Sequence, residues 1–343
     1  MRLRDVAMMP FHVFAIAGST KSFRRNPILG SPSLNKSGLH TGRIRLAARM
    51  AENRRMRMTK LVAAEHREQF GRDGYVTVAN ALPQSLFESL LAEISKTSFP
   101  THELRQGGAR TRFFTLTPDN LKPTPALSET VNGPLFQGLL RFVASRDAEP
   151  VVTLHTVLSD TPKSVRDPQS KFHSDTFHPT AKAWLFLQDV VPEDGPFSYV
   201  PGSHKMSEGR MEWEYAQSLT ARDHRDGHHA GGSFRASAEE IAEMGYASAV
   251  TFPVKANTLV VADTHGFHAR TPSQRKSKRV AIYGSLRTHP FVPIAGGDIF
   301  SLPPLTGRKT QIQDQLRSLQ SLMTGKPLAQ PFVGNLLATD DGN

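Results

Sequence analysis

The chain has 343 residues, of which 38% are hydrophobic and 21% charged, the balance of a globular protein rather than of a disordered one. It has no cysteine, which excludes disulfides, thiolate zinc sites, iron–sulfur clusters and cysteine nucleophiles, and no apolar run approaches the ~18 residues of a membrane span. The formal net charge is +11, but residues 1–60 hold 13 of the 42 Lys and Arg and 2 of the 31 acidic residues. The remainder is neutral, so we expect no nucleic-acid partner.

The beginning of the chain is set apart by its positive charge. Residues 1–58 combine a basic start, an apolar stretch and an Arg- and Ser-rich composition, which is typical of a poor signal peptide or an organelle transit peptide. Met50, Met56 and Met58 stand just before the first clear helical pattern, which is also compatible with a start codon assigned too early. We expect a disordered or wrongly assigned extension and a cytoplasmic protein, with organelle targeting as the alternative.

A single domain is expected over residues 59–325, and its first part is predicted to be helical. Apolar residues recur at helical spacing in three runs. The run YVTVANAL, between the first two, is typical of a short strand. The predicted helices are TKLVAAEHREQFG (59–71), QSLFESLLAEI after Pro83, and GPLFQGLLRFVAS (133–145).

From residue 150 onward the pattern changes to β-structure. Short β-branched or aromatic runs alternate with turn residues, which predicts a sandwich, barrel or jelly roll. The predicted strands are PVVTLHTVLSD, KFHSDTF, KAWLFLQDVV, PFSYVPGSH, AVTFPV, NTLVVAD and RVAIYGSL. The polar stretch 206–247 is expected to be an insertion or a lid. A helix at about 309–323 and a polar tail over 326–343 are expected to close the chain.

Two His-x-Asp pairs are candidate metal ligands. His224 and Asp226 lie in DHRDGHH with no strand on either side, so a solvated loop is expected there. His173 and Asp175 lie in the predicted strand KFHSDTF, where residues two apart point to the same face and can enter one pocket. The second pair is therefore the better candidate.

A third ligand is expected from VVADTHGFHARTP, which offers His265 and His268 just after an apolar strand. Two histidines and one carboxylate on one side of an ion leave three positions open, which suits Fe(II) with a chelating cosubstrate and oxygen. Mn(II) or Zn(II) fits the same ligands. A plain His–Asp hydrogen bond in the core of a sheet is the alternative interpretation.

Arg279 opens the predicted strand RVAIYGSLR, eleven residues after His268. Burial of a charged side chain at the start of an apolar strand is unfavourable unless the charge pairs with an anion. A guanidinium can bind a carboxylate through two parallel hydrogen bonds. A strand-end arginine in water is the alternative. Arg275, Lys276 and Lys278 are expected to face solvent.

Three motifs taken in order resemble the phytanoyl-CoA dioxygenase family of Fe(II)/2-oxoglutarate oxygenases: FHSDTF, AWLFLQDVVPEDGPFSYVPGSHK and GFHARTPSQRKSKR. FGRDGYVTVANAL also resembles the family's N-terminal element, so the likeness covers roughly residues 60–290. It implies an α+β, mainly β fold, a double-stranded β-helix (jelly roll, cupin-like) with packing helices mostly from the N-terminal part. The residues that the resemblance assigns are His173, Asp175 and His268 to Fe(II), Arg279 to the far carboxylate of 2-oxoglutarate, and Trp184 to the cosubstrate pocket.

The resemblance implies a dioxygenase that uses O2 and 2-oxoglutarate to hydroxylate an unactivated C–H bond of a small or lipid-like molecule. Retention of Asp175 disfavours halogenation, because halogenating relatives replace this carboxylate by a small residue. Arg270 stands where the family often has a small hydroxylated residue, so 2-oxoglutarate binding either involves Arg270 or differs in detail. A cupin-like metal enzyme without 2-oxoglutarate, such as an isomerase, and a non-catalytic β-helix binding module are the alternatives, and Arg279 argues against both.

One basic segment lies outside these motifs. ELRQGGARTR (103–112) is interpreted either as a solvated loop or as a site for an anionic substrate group at Arg110 or Arg112. The expected partner is a small-molecule substrate. The pattern predicts no oligomeric state.

Overall fold

The computed structural model describes residues 9–159 and 168–340, and its strands form two antiparallel sheets. The strands are β1 (Tyr75–Val78), β2 (Ser98–Gln106), β3 (Ala109–Thr115), β4 (Val151–Ser159), β5 (Ala181–Phe186), β6 (Phe197–Tyr199), β7 (Val250–Thr251), β8 (Thr258–Asp263), β9 (His268–Arg270), β10 (Ser277–Leu286) and β11 (Phe332–Leu337). The large sheet has the order β1-β8-β5-β10-β4-β3-β2-β11 and the small sheet the order β7-β6-β9. From β5 to β10 the chain passes repeatedly between the sheets, as in a jelly roll.

Helices pack on the large sheet and extend the N-terminal side of the molecule. They are α1 (Met9–Ile16), α2 (Pro32–Lys36), α3 (Leu39–Met56), α4 (Ala64–Asp73), α5 (Gln84–Lys96), α6 (Pro118–Leu121), α7 (Pro125–Asn132), α8 (Pro134–Val143), α9 (Glu208–Thr220), α10 (Gly227–Ala230), α11 (Ala238–Glu243) and α12 (Lys309–Thr324). In α8, Phe136, Leu139 and Leu140 share one face and are buried in the main core. Among the described residues, no helix has the length and apolar character needed to cross a membrane.

Alternating side chains divide the large sheet into two faces. On β5, Ala183 and Leu185 join the core under the helices, while Trp184 and Phe186 join the cluster between the sheets. Tyr199 of β6, in the small sheet, is fully buried in the same cluster. Two facing antiparallel sheets with helices on the outer side confirm the predicted α+β double-stranded β-helix.

The basic N-terminal segment is folded, so the expectation of disorder is wrong for residues 9–58. Arg43, Arg54 and Arg55 of α3 are buried. Their guanidinium groups donate to backbone carbonyl groups of other segments, and those of Arg43 and Arg55 also lie over the rings of Phe177 and Phe70. The charge count led to the expectation of disorder. Composition does not distinguish arginines that face water from arginines that donate hydrogen bonds to buried carbonyl groups.

A prediction for stability concerns Arg54, which is 2% exposed and donates to the carbonyl groups of Ser145, Pro290 and Val292. Arg54→Ala should lower the free energy of unfolding by about 3 kcal/mol, because it leaves these buried carbonyls unpaired. Chemical denaturation measures this value. Arg317→Ala, on α12 with a side chain 54% exposed, should change it by less than about 0.5 kcal/mol. Equal, small losses in the two variants would contradict the packing of α3.

Two segments of the body differ from the sequence analysis. The expected polar tail, 326–343, contains β11, which pairs with β2 at the edge of the large sheet. Residues 103–112, expected to be a loop, form most of the β2–β3 hairpin, with Gly107 at a φ of 61° in its turn. The hairpin strands carry many polar residues and are stabilised by cross-strand pairing, so the apolar pattern did not reveal them, while Gly334 and Asn335 interrupt the short apolar run of β11. The helix predicted at about 309–323 is confirmed as α12.

The segment 206–247 lies between β6 and β7 as a packed layer of helices, which argues against the lid interpretation. It contains α9, α10 and α11, and α9 contacts α2 and α3. Arg210 Nη2 lies 2.9 Å from Glu214 Oε1, and Glu214 Oε2 lies 2.8 Å from His40 Nε2 of α3, all three side chains being buried. A buried charged network of this kind fixes the segment to the N-terminal helices, whereas a lid needs few buried contacts.

Candidate metal centre

His173 and His268 are joined through their backbones. His173 lies between β4 and β5, and it exchanges two hydrogen bonds of 3.0 Å with His268, the first residue of β9. The Asp175 N–H donates to the Thr264 carbonyl at 2.8 Å. The prediction of a strand at KFHSDTF is therefore wrong, because His173 makes only isolated bridges, to His268 and Arg235. The ligands converge because this segment crosses the ends of other strands, not because two residues alternate along one strand.

The three side chains predicted as ligands each present one ligand atom, and these atoms all lie within 4.8 Å of one another. The Nε2 atoms of His173 and His268 each lie 3.8 Å from Asp175 Oδ1. His173 Nδ1 is 2.8 Å from the Lys171 carbonyl oxygen, and His268 Nδ1 is 3.0 Å from that of Gly266. Because a carbonyl only accepts, each Nδ1 carries the proton and each Nε2 turns a lone pair toward the carboxylate.

The electrostatic environment keeps these groups in the form that binds metal. Burial lowers the pKa of His268 to about 4, and burial also holds the pKa of His173 well below its ordinary value. Burial alone would raise the pKa of Asp175, but Lys182 and the two histidines outweigh it, and this pKa lies well below its ordinary value. At neutral pH the site therefore offers two neutral imidazoles and a carboxylate, as metal binding requires.

The residues present fit a metal ion. Among the described residues, the buried Nε2 of His268 has no hydrogen-bond partner. A buried nitrogen lone pair that faces a carboxylate needs a proton or a metal between them, and the pKa of His268 disfavours the proton. A set of two nitrogens and one oxygen suits Fe(II), and also Mn(II) or Zn(II). The protein thus contains a His-Asp-His triad that can bind a metal ion.

Lys182 holds the second oxygen of the ligand carboxylate. Its Nζ reaches from β5 to 2.6 Å from Asp175 Oδ2, which leaves Oδ1 facing the histidines. Arg287 Nη2 lies 3.9 Å from the same Oδ2. Such a partner orients a ligand carboxylate. The sequence analysis missed Lys182, although it stands two residues before Trp184 in a predicted strand and therefore shares its face.

A cavity of about 260 Å³ opens beside the triad. Its lining includes Lys182, Trp184, Arg279 and Tyr283 from the large sheet, and His173, Phe197, His268 and Arg270 from the opposite side. The Trp184 ring centroid lies 4.7 Å from that of Phe197 and 5.9 Å from that of Tyr283. The cavity is slightly smaller than most pockets for drug-sized ligands (roughly 300–1,000 Å³), which suits a small dicarboxylate.

Two arginines face this cavity from opposite sheets. Arg279 of β10, opposite Val157 of β4, is 9% exposed, and its Nη1 donates to the Gly195 carbonyl. Arg270 of β9 lines the cavity from the small sheet. Arg275 is different, because its side chain is 60% exposed and pairs with Asp194, and it does not line the cavity. The structure therefore brings Arg279 and Trp184 to the same cavity as the triad.

The other candidate ligands lie elsewhere or have structural roles. His265 is buried with Nδ1 2.8 Å from the Thr176 carbonyl oxygen, and among the described residues it belongs to no group that could hold a metal. Asp226 caps α10, since its carboxylate accepts the N–H groups of His228 and His229. Its neighbour His224 also belongs to no such group. The pair at 224–226 thus stabilises a short helix.

The basic hairpin contributes to the cavity through other residues than those expected. Arg112 Nε lies 3.3 Å from Glu103 Oε2, and strand alternation places both on the face turned away from the cavity. The cavity-facing residues of β2 and β3 are Leu104, Gln106, Thr111 and Phe113. Alternation around the Gly-Gly turn is the sequence signal that would have identified them.

Comparison with known proteins gives one family match. A model of the phytanoyl-CoA dioxygenase (PhyH) family matches residues 70–279, more than half of the chain. A comparison with curated proteins finds no match.

Solved structures resemble the chain more distantly. The epimerase SnoN, in complex with Fe3+, alpha-ketoglutarate and nogalamycin RO, is 19% identical over 64% of this chain and 81% of its own, with a TM-score of 0.42. The carbocyclase SnoK from nogalamycin biosynthesis is 21% identical over 65% and 83%, with a TM-score of 0.40. HygX from Streptomyces hygroscopicus, with nickel and 2-oxoglutarate bound, is 15% identical over 65% and 86%, with a TM-score of 0.41.

At these TM-scores the family assignment rests on the family match and not on the solved structures. That match spans both halves of the site, from the element before β1 to the first residues of β10. It includes the triad, Trp184 and Arg279. The chain belongs to the phytanoyl-CoA dioxygenase (PhyH) family of Fe/2-oxoglutarate-dependent enzymes.

Proposed function

We propose that the protein is a non-haem Fe(II)/2-oxoglutarate-dependent dioxygenase that hydroxylates an unactivated C–H bond of a small or lipid-like molecule. The observation that carries the proposal is the triad itself, in which two imidazole Nε2 atoms face Oδ1 of one carboxylate beside a cavity lined by Arg279. Three ligands on one side of an ion leave room for a bidentate cosubstrate and oxygen. The cytoplasmic location expected from the sequence stays a prediction.

Each residue has a defined task in this proposal. His173 and His268 would hold Fe(II) through Nε2 and Asp175 through Oδ1, while Arg279 binds the far carboxylate of 2-oxoglutarate. When bound, iron, 2-oxoglutarate and O2 supply the oxidising chemistry, and succinate and carbon dioxide leave. The protein contributes orientation and a dry wall, to which Trp184 belongs.

Two observations favour this activity over the alternatives. A cupin-like metal isomerase needs the triad but no buried guanidinium beside it, and a non-catalytic module needs neither. Arg279 is buried and lines the cavity together with the two histidines, as a dicarboxylate cosubstrate requires. Retention of Asp175 supports hydroxylation over halogenation.

The test is conversion of 2-oxoglutarate to succinate by the purified protein, with Fe(II), ascorbate and air. We expect slow turnover without substrate, which stops when Fe(II) or O2 is omitted. Screening of small molecules should then reveal compounds that accelerate succinate formation and gain one oxygen atom. Metal binding without any binding or consumption of 2-oxoglutarate would instead support the isomerase-like alternative.

A further inference from the structure

Cations crowd around the ligand carboxylate. Lys182 Nζ lies 2.6 Å and Arg287 Nη2 3.9 Å from Asp175 Oδ2. On the other side of the same residue, Lys21 Nζ donates a hydrogen bond to the Asp175 backbone carbonyl. Arg235 stands opposite His173 in a backbone bridge. Three cationic side chains thus contact Asp175, and the side chain of Arg235, which contacts Ser233 and Asp226, belongs to an adjacent segment.

The carboxylates nearby do not balance these cations. Arg235 Nε lies 3.7 Å from Asp226 Oδ2, while Asp175 is shared by Lys182 and Arg287. In the described parts of the chain, Lys21 forms no ion pair with a carboxylate. Among the residues that the structure describes, four cations therefore meet two carboxylates, and a bound divalent metal would add further positive charge.

The surplus has an energetic consequence at Lys21. The Lys21 amine is partly buried against the Asp175 backbone carbonyl, and Arg287 lies against the carboxylate of the same residue. Like charges held together at a partly buried site are unfavourable unless an anion meets them, and such arrangements mark binding sites. The side chain of Arg287 is 51% exposed, so an anion from solvent can reach it.

We propose that Lys21 and Arg287 form an anion-binding site beside the metal centre, which takes a carboxylate, phosphate or sulfate group of the substrate. The proposal rests on the proposed function, because it places the anion on the molecule that the oxygenase acts on. It narrows the substrate class to small molecules with an anionic group. Arg235 and Lys182 add positive potential behind the two residues that contact the anion.

The Lys21 segment is held in position before any ligand arrives. Arg43 donates hydrogen bonds to the carbonyl groups of Ile16, Gly18 and Thr20, immediately before Lys21. Gly232 lies so close that a Cβ there would stand 1.9 Å from the Lys21 carbonyl oxygen, so only glycine fits. A cation fixed in this way binds an anion without first losing backbone freedom.

Both contact residues lie outside the stretch that matches the family model, residues 70–279. Lys21 comes from the N-terminal segment before α2, and Arg287 follows the last residue of β10. The site is therefore an addition of this chain to the family's core. It gives the folded N-terminal segment a role in substrate selection.

The probe is inorganic phosphate, titrated by calorimetry into the anaerobic Fe(II) protein saturated with 2-oxoglutarate, so that the cosubstrate position is filled. Lys21→Met and Arg287→Met should each weaken phosphate binding about fivefold, and the double variant should remove it within the measurable range. Lys255→Met, whose side chain is 88% exposed and remote from the site, is the matched control and should bind phosphate like the unaltered protein. Acetate and sulfate, titrated in the same way, show which anion class binds best.

Equal phosphate affinity in the unaltered protein, the two single variants at positions 21 and 287 and the double variant would overturn the proposal. Absence of phosphate binding to the unaltered protein would also overturn it. Thermal unfolding checks that the variants fold. If Lys21→Met does not fold, Arg287→Met alone tests the proposal. The Fe(II)–2-oxoglutarate charge-transfer band, recorded on the same samples, separates the two hypotheses. A band without variant-dependent phosphate binding overturns the anion site alone. Variant-dependent binding without a band overturns the oxygenase assignment and keeps the anion site.

Discussion

His268→Ala is expected to abolish Fe(II) binding and to lower 2-oxoglutarate turnover more than about a hundredfold. Loss of a residue that only hydrogen-bonds to a metal ligand already lowers metal affinity or activity about 10–100-fold, and His268 is itself a proposed ligand. The variant removes one of the two Nε2 atoms that lie 3.8 Å from Asp175 Oδ1. Only one histidine and one carboxylate then remain, which is one ligand fewer than the proposed site needs to bind the ion. Anaerobic Fe(II) titration and succinate formation measure the effect, and His173→Ala should match it.

The matched control for this variant is the neighbouring histidine. His265 is also buried, but its Nδ1 contacts the Thr176 carbonyl oxygen and it lies outside the triad. His265→Gln should therefore retain Fe(II) binding, after thermal unfolding has shown that it folds. Loss of iron in His265→Gln with retention in His268→Ala would exchange the two histidines and contradict the assigned triad.

Arg279→Ala is expected to raise the KM for 2-oxoglutarate about thirtyfold, because a bidentate charged contact with the far carboxylate is lost. The kcat should change much less, since this carboxylate does not react. Arg279→Lys should recover part of the affinity, because a point charge replaces the planar fork. Initial rates of succinate formation at saturating Fe(II) give both constants.

Two other arginines serve as controls for that result. Arg275→Ala alters an exposed side chain four residues earlier, so the KM for 2-oxoglutarate should not change. Arg270→Ala tests the departure from the family pattern, since Arg270 lines the same cavity from β9. A large rise of the KM for 2-oxoglutarate in Arg270→Ala, with no rise in Arg279→Ala, would indicate that the far carboxylate binds to Arg270 of the small sheet instead.

The sequence predicted the strands well where apolar and β-branched residues form nearly continuous runs. β4, β5, β8 and β10 overlap predicted runs and begin at most two residues before them, because strands buried on both faces carry continuous apolar and β-branched residues. The β2–β3 hairpin was missed because its strands carry many polar residues and gain stability from pairing, and β11 was missed because Gly334 and Asn335 interrupt its short apolar run. The local pattern of a sequence reflects burial, and these three strands at one end of the large sheet are only partly buried.

The structure brings the three predicted ligand residues together, but not for the reason that the sequence suggested. His173 and Asp175 do not alternate on a strand; backbone pairing with His268 and Thr264 brings them together. The surroundings of the site depend on contacts that no local pattern contains. Lys21, for example, reaches Asp175 across 154 positions of the sequence.

The central claim is that His173, Asp175 and His268 hold one iron that 2-oxoglutarate chelates. Anaerobic addition of Fe(II) and then 2-oxoglutarate to the purified protein tests it most directly. We predict a weak visible charge-transfer band that requires both components, saturates at one iron per chain and is absent in His173→Ala and His268→Ala. No band in the unaltered protein, or an unchanged band in either variant, would contradict the claim.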